Sequence, residues 1–294
     1  MHSIETVLST LYHSIEMNMV KKYLIIAGVV LTTFINGCSQ NVRPGYRFDL
    51  FKNTPNWKLA QAVEKEDEGE MKAILKSTNI DINFQEPRFG NTLLHLAIGN
   101  DKLVSTRVLL EKGANVNIGD SENSHAIHEA TKSPELRKHS FEILKLLIEH
   151  GANVNDTLIK TNSKKDTTYF YVPLMGACLD FNCAKLLLEN GANPYVKKDS
   201  NYVVWSSVLI LDAKPFETIY VARYMIVEKK MPIPNPIFYT ADRHKPKDVL
   251  FLINKFNTYN DTNKESLKKE VLDYLKQIDF PRNGLYIDHN KFLE

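Results

Sequence analysis

The stretch Gly90-Asn-Thr-Leu-Leu-His-Leu-Ala-Ile-Gly-Asn-Asp-Lys-Leu-Val-Ser-Thr-Arg-Val-Leu-Leu-Glu-Lys-Gly-Ala-Asn-Val-Asn117 is the unit that the rest of the chain repeats and pads. Thr92 is placed to cap a short helix from Leu93 to about Gly99, in which Leu94, Ala97 and Ile98 recur at helical spacing. A second apolar-periodic run, Leu103, Val104, Val108, Leu109 and Leu110, stops at Gly113, where a residue without Cβ takes the left-handed conformation that closes a helix. Each helix is under about three turns, too short to be stable alone in water. Each has one strongly apolar side, so the unit must pack against others like itself.

Outward from this unit the pattern recurs. The glycine stop returns as Gly113-Ala-Asn-Val-Asn, Gly151-Ala-Asn-Val-Asn and Gly191-Ala-Asn-Pro-Tyr. Each follows a leucine-rich helix: Val108-Leu-Leu-Glu-Lys, Leu146-Leu-Ile-Glu-His and Leu186-Leu-Leu-Glu-Asn. His95 is followed 33 residues later by His128. The helix starts read Thr92-Leu-Leu-His-Leu-Ala, His125-Ala-Ile-His-Glu-Ala and Val172-Pro-Leu-Met-Gly-Ala. On these blocks and this period the chain closely resembles the ankyrin repeat family, with its Thr-Pro-Leu-His-x-Ala motif. The resemblance implies an all-α repeat solenoid of helix-turn-helix pairs joined by β-hairpin loops. It also implies structural hydrogen bonds for His95 and His128 near the helix starts, and a protein partner bound at the hairpin tips and the inner faces of the first helices.

Weaker copies flank the clear ones. Trp57 to Lys65, Glu70 to Ser77 and Asn79-Ile-Asp-Ile-Asn read as an opening repeat, with Asn79 in the glycine position. Tyr202 to Ser207 and Val221 to Lys230 read as a later copy with Lys230 in that position, and Pro236 to Ala241 with Lys247 to Lys255 as a closing pair. The array is therefore expected over residues 57–256 as about six helix pairs. Residues 257–294 are expected to form a C-terminal capping helix and tail, the helix having Leu267, Val271, Tyr274, Leu275 and Ile278 on one side and Thr262 with Glu265 as its capping box.

Two insertions break the spacing. One lies around Lys132 to Ser140, between paired helices, and the other in Asp156 to Tyr171, where an enlarged finger on the binding side is expected. That finger carries Tyr169, Phe170 and Tyr171, and its lysines Lys160, Lys164 and Lys165 form a modest basic patch with Lys197 and Lys198 of the next. Lys165, Tyr169 and Phe170 are the expected partner-facing residues.

The front of the chain reads as a targeting segment. Lys21-Lys22 precede a 12-residue apolar run, Tyr23 to Phe34, and Ile35-Asn-Gly-Cys38 closes it. The run falls short of the roughly 20 residues of a membrane span. This pattern resembles a bacterial lipoprotein signal, which implies cleavage after residue 37 and lipidation of Cys38. Residues 1–37 are then extension and signal, and residues 38–56 the lipidated cysteine and its tether. Met17 and Met19 make Met1 to Glu16 an expected upstream extension from start-site choice. Ser39 after the cysteine fits sorting to the outer membrane in a Gram-negative host, at its periplasmic face. The competing expectation is a cytosolic or host-directed ankyrin adaptor without a lipid anchor.

Charge and motif content narrow the function. From Cys38 onward 35 basic residues face 33 acidic ones, and this balance argues against a general nucleic-acid binder, which needs a clustered positive field. No phosphate-cradling glycine loop, serine elbow or paired-carboxylate motif is present. No Cys, Asp or Glu at ligand spacing accompanies His125 and His128, and Met175 stands where the motif histidine belongs in the next copy. Hence no catalytic residue, metal or cofactor is expected, and a monomeric interaction protein is. Within that class, a cognate inhibitor, or immunity protein, of a secreted toxin is the sharper expectation. Cys178 and Cys183, five apart, are expected in small apolar core positions, with a disulfide left open in an oxidising envelope.

Overall fold

The computed structural model describes residues 44–294 except 78–79, 162–167, 199–200, 211–217, 235–237, 240–245, 248, 256–257, 259, 281–285 and 288–294. Cys38, Asn79, Lys164, Lys165, Pro281 and Gly284 therefore lie outside the described residues.

Six helix pairs follow one another among the described residues. They are α1 (Trp57–Lys65) with α2 (Glu68–Ser77), α3 (Leu93–Gly99) with α4 (Leu103–Glu111), α5 (Ala126–Thr131) with α6 (Ser140–Glu149), and α7 (Pro173–Ala177) with α8 (Phe181–Glu189). Then come α9 (Val203–Ile210) with α10 (Thr218–Arg223), and α11 (Val249–Lys255) with α12 (Thr262–Gln277). First helices stack on first helices and second on second, giving two layers of an all-α repeat solenoid. The core lies between the layers and between successive pairs: Leu94, Ala97, Leu109, Ile127, Leu144, Leu174 and Leu187 are all buried in one apolar cluster.

The local chemistry explains the elements. Thr92 Oγ1 accepts the His95 backbone N–H at 3.4 Å and so caps α3. Gly113, Gly151 and Gly191 sit at φ +90, +84 and +86, and no atom stands within 4 Å of where a Cβ would be built on them. They are glycines for their backbone conformation and not for want of space. Lys230, at the equivalent place in the fifth pair, accepts the same strain with φ 49.

The end of the array differs from expectation. Of the stretch Pro236 to Ala241, expected to open the closing pair, only Phe238–Tyr239 is described, and it is a strand paired antiparallel with Pro246–Lys247 as a finger hairpin. The aromatic pair favours extended backbone. The last pair is instead α11 with α12, so the helix expected as a separate cap is the second helix of the sixth pair, and the array runs on to Gln277. Its N-cap is Asp261, not Thr262: the carboxylate accepts from the Asn263 and Lys264 amides at 3.0 and 3.1 Å. Val271 and Leu275 of α12 are fully buried.

Ahead of α1 the chain is folded onto the array. Two single 3-10 turns, Pro44–Tyr46 and Phe48–Phe51, place Phe48 and Phe51 in the core, with Phe51 against Phe84 at 6.1 Å between ring centroids. This stretch, expected as part of a polar tether, acts from Gly45 onward as the cover of the first repeat.

Candidate functional site

The enlarged finger is a real hairpin. Strand β1 (Leu158–Thr161) pairs antiparallel with β2 (Thr168–Tyr171), with Leu158 opposite Tyr171, Ile159 opposite Phe170 and Lys160 opposite Tyr169. Alternation then assigns the faces. Leu158 and Tyr171 are buried at the base, and Lys160 and Tyr169 continue the same face outward. The Tyr169 ring stacks on Tyr171 at 6.3 Å, and Lys160 Nζ lies 5.9 Å from its centroid while pairing with Glu122 of the preceding finger. Of the expected partner-facing residues, Tyr169 is 46% exposed, whereas Phe170 is half-buried and packs against the core. Ile159, which sequence reasoning did not single out, is 58% exposed beside it. Its signal was present in the alternation of the strand, but only the register with Tyr171 decides which alternate faces out.

Tyr171 anchors the hairpin. Its hydroxyl donates to Thr131 Oγ1 at 3.0 Å and fills the space over Gly176, where a Cβ would meet that oxygen at 1.8 Å and the Thr131 carbonyl at 2.4 Å. Burial pushes its ionisation well above the ordinary tyrosine range. In the next finger Tyr202 is buried, with Lys197 Nζ 4.5 Å over its ring, and Trp205 is fully buried beside Tyr195.

The two motif histidines bridge successive fingers. His95 Nδ1 accepts the Thr92 amide at 3.2 Å, leaving Nε2 to carry the proton and donate to the Ser124 carbonyl at 3.1 Å. His128 repeats this with the His125 amide at 3.1 Å and the Asp156 carbonyl at 3.4 Å. Desolvation lowers the pKa of both imidazoles and keeps them neutral; for His95 the charges of Asp120 and Glu129 oppose it, and for His128 that of Asp156.

Here the structure corrects the sequence reading: a carboxylate does converge on the histidine pair. Asp156, 28 residues downstream of His128, places its carboxylate against His125 Nδ1 and 3.6 Å from His128 Nε2, so ligand atoms of the three residues lie within 4.8 Å of one another. The hydrogen bonds argue for a proton and not a metal in that triangle. His128 Nδ1 is committed as an acceptor, so its Nε2 carries hydrogen and has no lone pair to offer. Binding a cation there would cost the bond that starts α5.

Cys178 and Cys183 are both buried, in the small apolar positions expected of them. Cys178 donates to the Leu174 carbonyl, and burial pushes its pKa up to about 12, which removes it from thiolate chemistry at neutral pH.

Comparison with known proteins agrees with this architecture. Residues 59–158 match the family model for ankyrin repeats in three copies. The chain is similar to a putative ankyrin repeat protein of fowlpox virus, strain NVSL, 29% identical over 117 residues, which is 40% of this chain and 32% of that protein. The chain thus matches about a third of its relative's length. The fold so defined is an all-α repeat solenoid in which residues 59–158 carry the ankyrin-repeat match, and such repeats are protein-protein interaction modules. Among the described residues no helix is long and apolar enough to cross a membrane.

Proposed function

We propose that this protein is a membrane-anchored interaction module that captures a protein partner with its enlarged finger. The observation that carries the reading is the β1–β2 hairpin, which holds Ile159 and Tyr169 in solvent on a rigid base, as an interface anchor requires. Lys165, Tyr169 and Phe170 are the partner-binding residues of this proposal, and replacing all three with Ala in a chain that still folds is expected to weaken partner capture at least tenfold. Unchanged affinity would overturn the assignment.

The anchor is lipid on Cys38 after removal of residues 1–37, placing the array at the periplasmic face of a bacterial outer membrane. Acyl chains contribute about 0.8 kcal/mol per buried methylene, so two or more hold the protein there durably. The partner in this setting is a toxic effector, neutralised as by an immunity protein, and no catalysis is involved. Fractionation and intact mass of the wild type beside Cys38→Ala in a Gram-negative host test this: an acylated membrane-bound wild type and an unprocessed variant are expected. The second reading, an unanchored adaptor, is favoured by the viral origin of the similar protein. Two soluble products that begin at Met1 would establish it.

A further inference from the structure

The segment entering the array is gripped as a peptide ligand is gripped. Asn91 Nδ2 donates to the Gly45 carbonyl at 2.9 Å, and Asn100 Nδ2 donates to the Tyr46 carbonyl at 2.9 Å. Two amide side chains thus read two successive main-chain carbonyls, a recognition that is blind to side chains. One side chain is read as well. The Tyr46 ring lies on Gly99, where a Cβ would stand 2.1 Å from it, and the Tyr46 hydroxyl donates to Glu129 Oε2 at 2.6 Å. Glu129 is buried on α5 and held from behind by Arg137 at 2.7 Å and Lys132 at 3.5 Å.

Asn91 is 3% exposed, yet its Oδ1 is buried with no donor among the described residues, although the Nδ2 of the same amide is engaged. A buried acceptor left empty is costly, and a main-chain N–H offered beside the carbonyl would fill it.

We infer that Asn91, Gly99, Asn100 and Glu129 form a cradle for an extended, tyrosine-bearing peptide of a partner protein, closed in the free chain by its own Gly45–Tyr46. The cradle rests on the reading of this protein as an interaction module, but neither on the lipid anchor nor on the finger residues. Its chemistry fixes the preference. Tyrosine supplies both the flat ring for the Gly99 gap and the donor for Glu129; phenylalanine supplies only the ring, and a phosphorylated or acidic residue meets the Glu129 carboxylate with like charge. The tethered segment wins by effective concentration alone, so weakening it opens the cradle.

The test uses the full chain and a fluorescent peptide of residues 45–52, Gly-Tyr-Arg-Phe-Asp-Leu-Phe-Lys. The Tyr46→Ala chain is expected to bind it at least tenfold more tightly than the wild type, with Tyr46→Phe between them and serving alone should Tyr46→Ala fail to fold. The same peptide with Ala in place of its tyrosine is expected not to bind. Equal affinity across wild type and variants would overturn the cradle, and so would equal binding of the Ala peptide, which would move recognition to the clefts of Phe48 and Phe51. Tyrosine-dependent capture of the peptide by the Tyr46→Ala chain, together with unchanged partner capture when Lys165, Tyr169 and Phe170 are replaced by Ala, would overturn the finger-based function and leave the cradle standing.

Discussion

His95 and His128 are neutral in the folded array, and that state has a pH signature. Their folded pKa values lie below the unfolded value of about 6.5 because burial disfavours the imidazolium. As pH falls through 6.5 the unfolded chain therefore takes up protons that the folded chain refuses. Stability is full above about pH 6.5 and declines below it, by at most about 1.4 kcal/mol per histidine per pH unit until the folded pKa is reached. Urea midpoints at pH 7.5 and 5.5 should show this loss, and a flat profile would mean that the imidazoles are not held as described. The triangle of His125, His128 and Asp156 has its own check. A zinc site with a micromolar Kd would add about 2.7 kcal/mol at 0.1 mM zinc, whereas the committed Nε2 proton of His128 leads us to expect no shift in melting temperature. Two glycines divide a further residue-scale question between backbone and space. Gly113→Ala should cost about 1–2 kcal/mol from its positive φ alone. Gly176→Ala should cost about 1–3 kcal/mol from collision with Tyr171 and the Thr131 carbonyl, as overpacking does.

At the scale of elements, the insertion between α5 and α6 illustrates how an irregular stretch is held. Arg137 donates to the Glu129 carbonyl at 2.8 Å and to its carboxylate at 2.7 Å, so the Pro134–Leu136 turn is pinned to the buried acid. Arg137→Ala would leave that carboxylate to Lys132 and Tyr46 and should destabilise the chain by about 3 kcal/mol, the usual cost of breaking a buried pair from one side. A loss below about 0.5 kcal/mol in urea unfolding would mean that the insertion is not anchored there. The same elements show what the sequence made legible. Thr92, His95 and Gly113 mark α3, α4 and their turns because capping, bridging and left-handed closure are local and carried by specific residue types. Asp156 beside His125, Tyr46 on Gly99 and Phe48 with Phe51 under the first repeat were not legible, since each is a contact between residues about 30 or more apart in the chain or depends on where a whole segment lies. The Asp261 cap was missed for a smaller reason: Asp261 and Thr262 are both good caps, and only the backbone path chooses between them.

For the whole molecule, the consequence of a solenoid is that stability is summed along nearest neighbours, so the ends matter more than their size suggests. The front is closed by Phe48 and Phe51, and the back by α12, whose Val271 and Leu275 cover the fifth pair through α10. Truncation after residue 256 removes that cover and exposes an apolar face on α10 and α11. The truncated chain is expected to aggregate, or to lose amide protection in α9 to α11, while α3 to α6 stay protected, because their neighbours on both sides are intact. Val271→Asp is the gentler version and should lower the same protection without shortening the chain, since it buries a charge with no partner. Hydrogen exchange resolved by peptide distinguishes the cases. Loss confined to the last pairs fits a one-dimensional array, whereas uniform loss from α1 to α11 would show that the pairs fold as one cooperative unit and that the caps act on all of it at once.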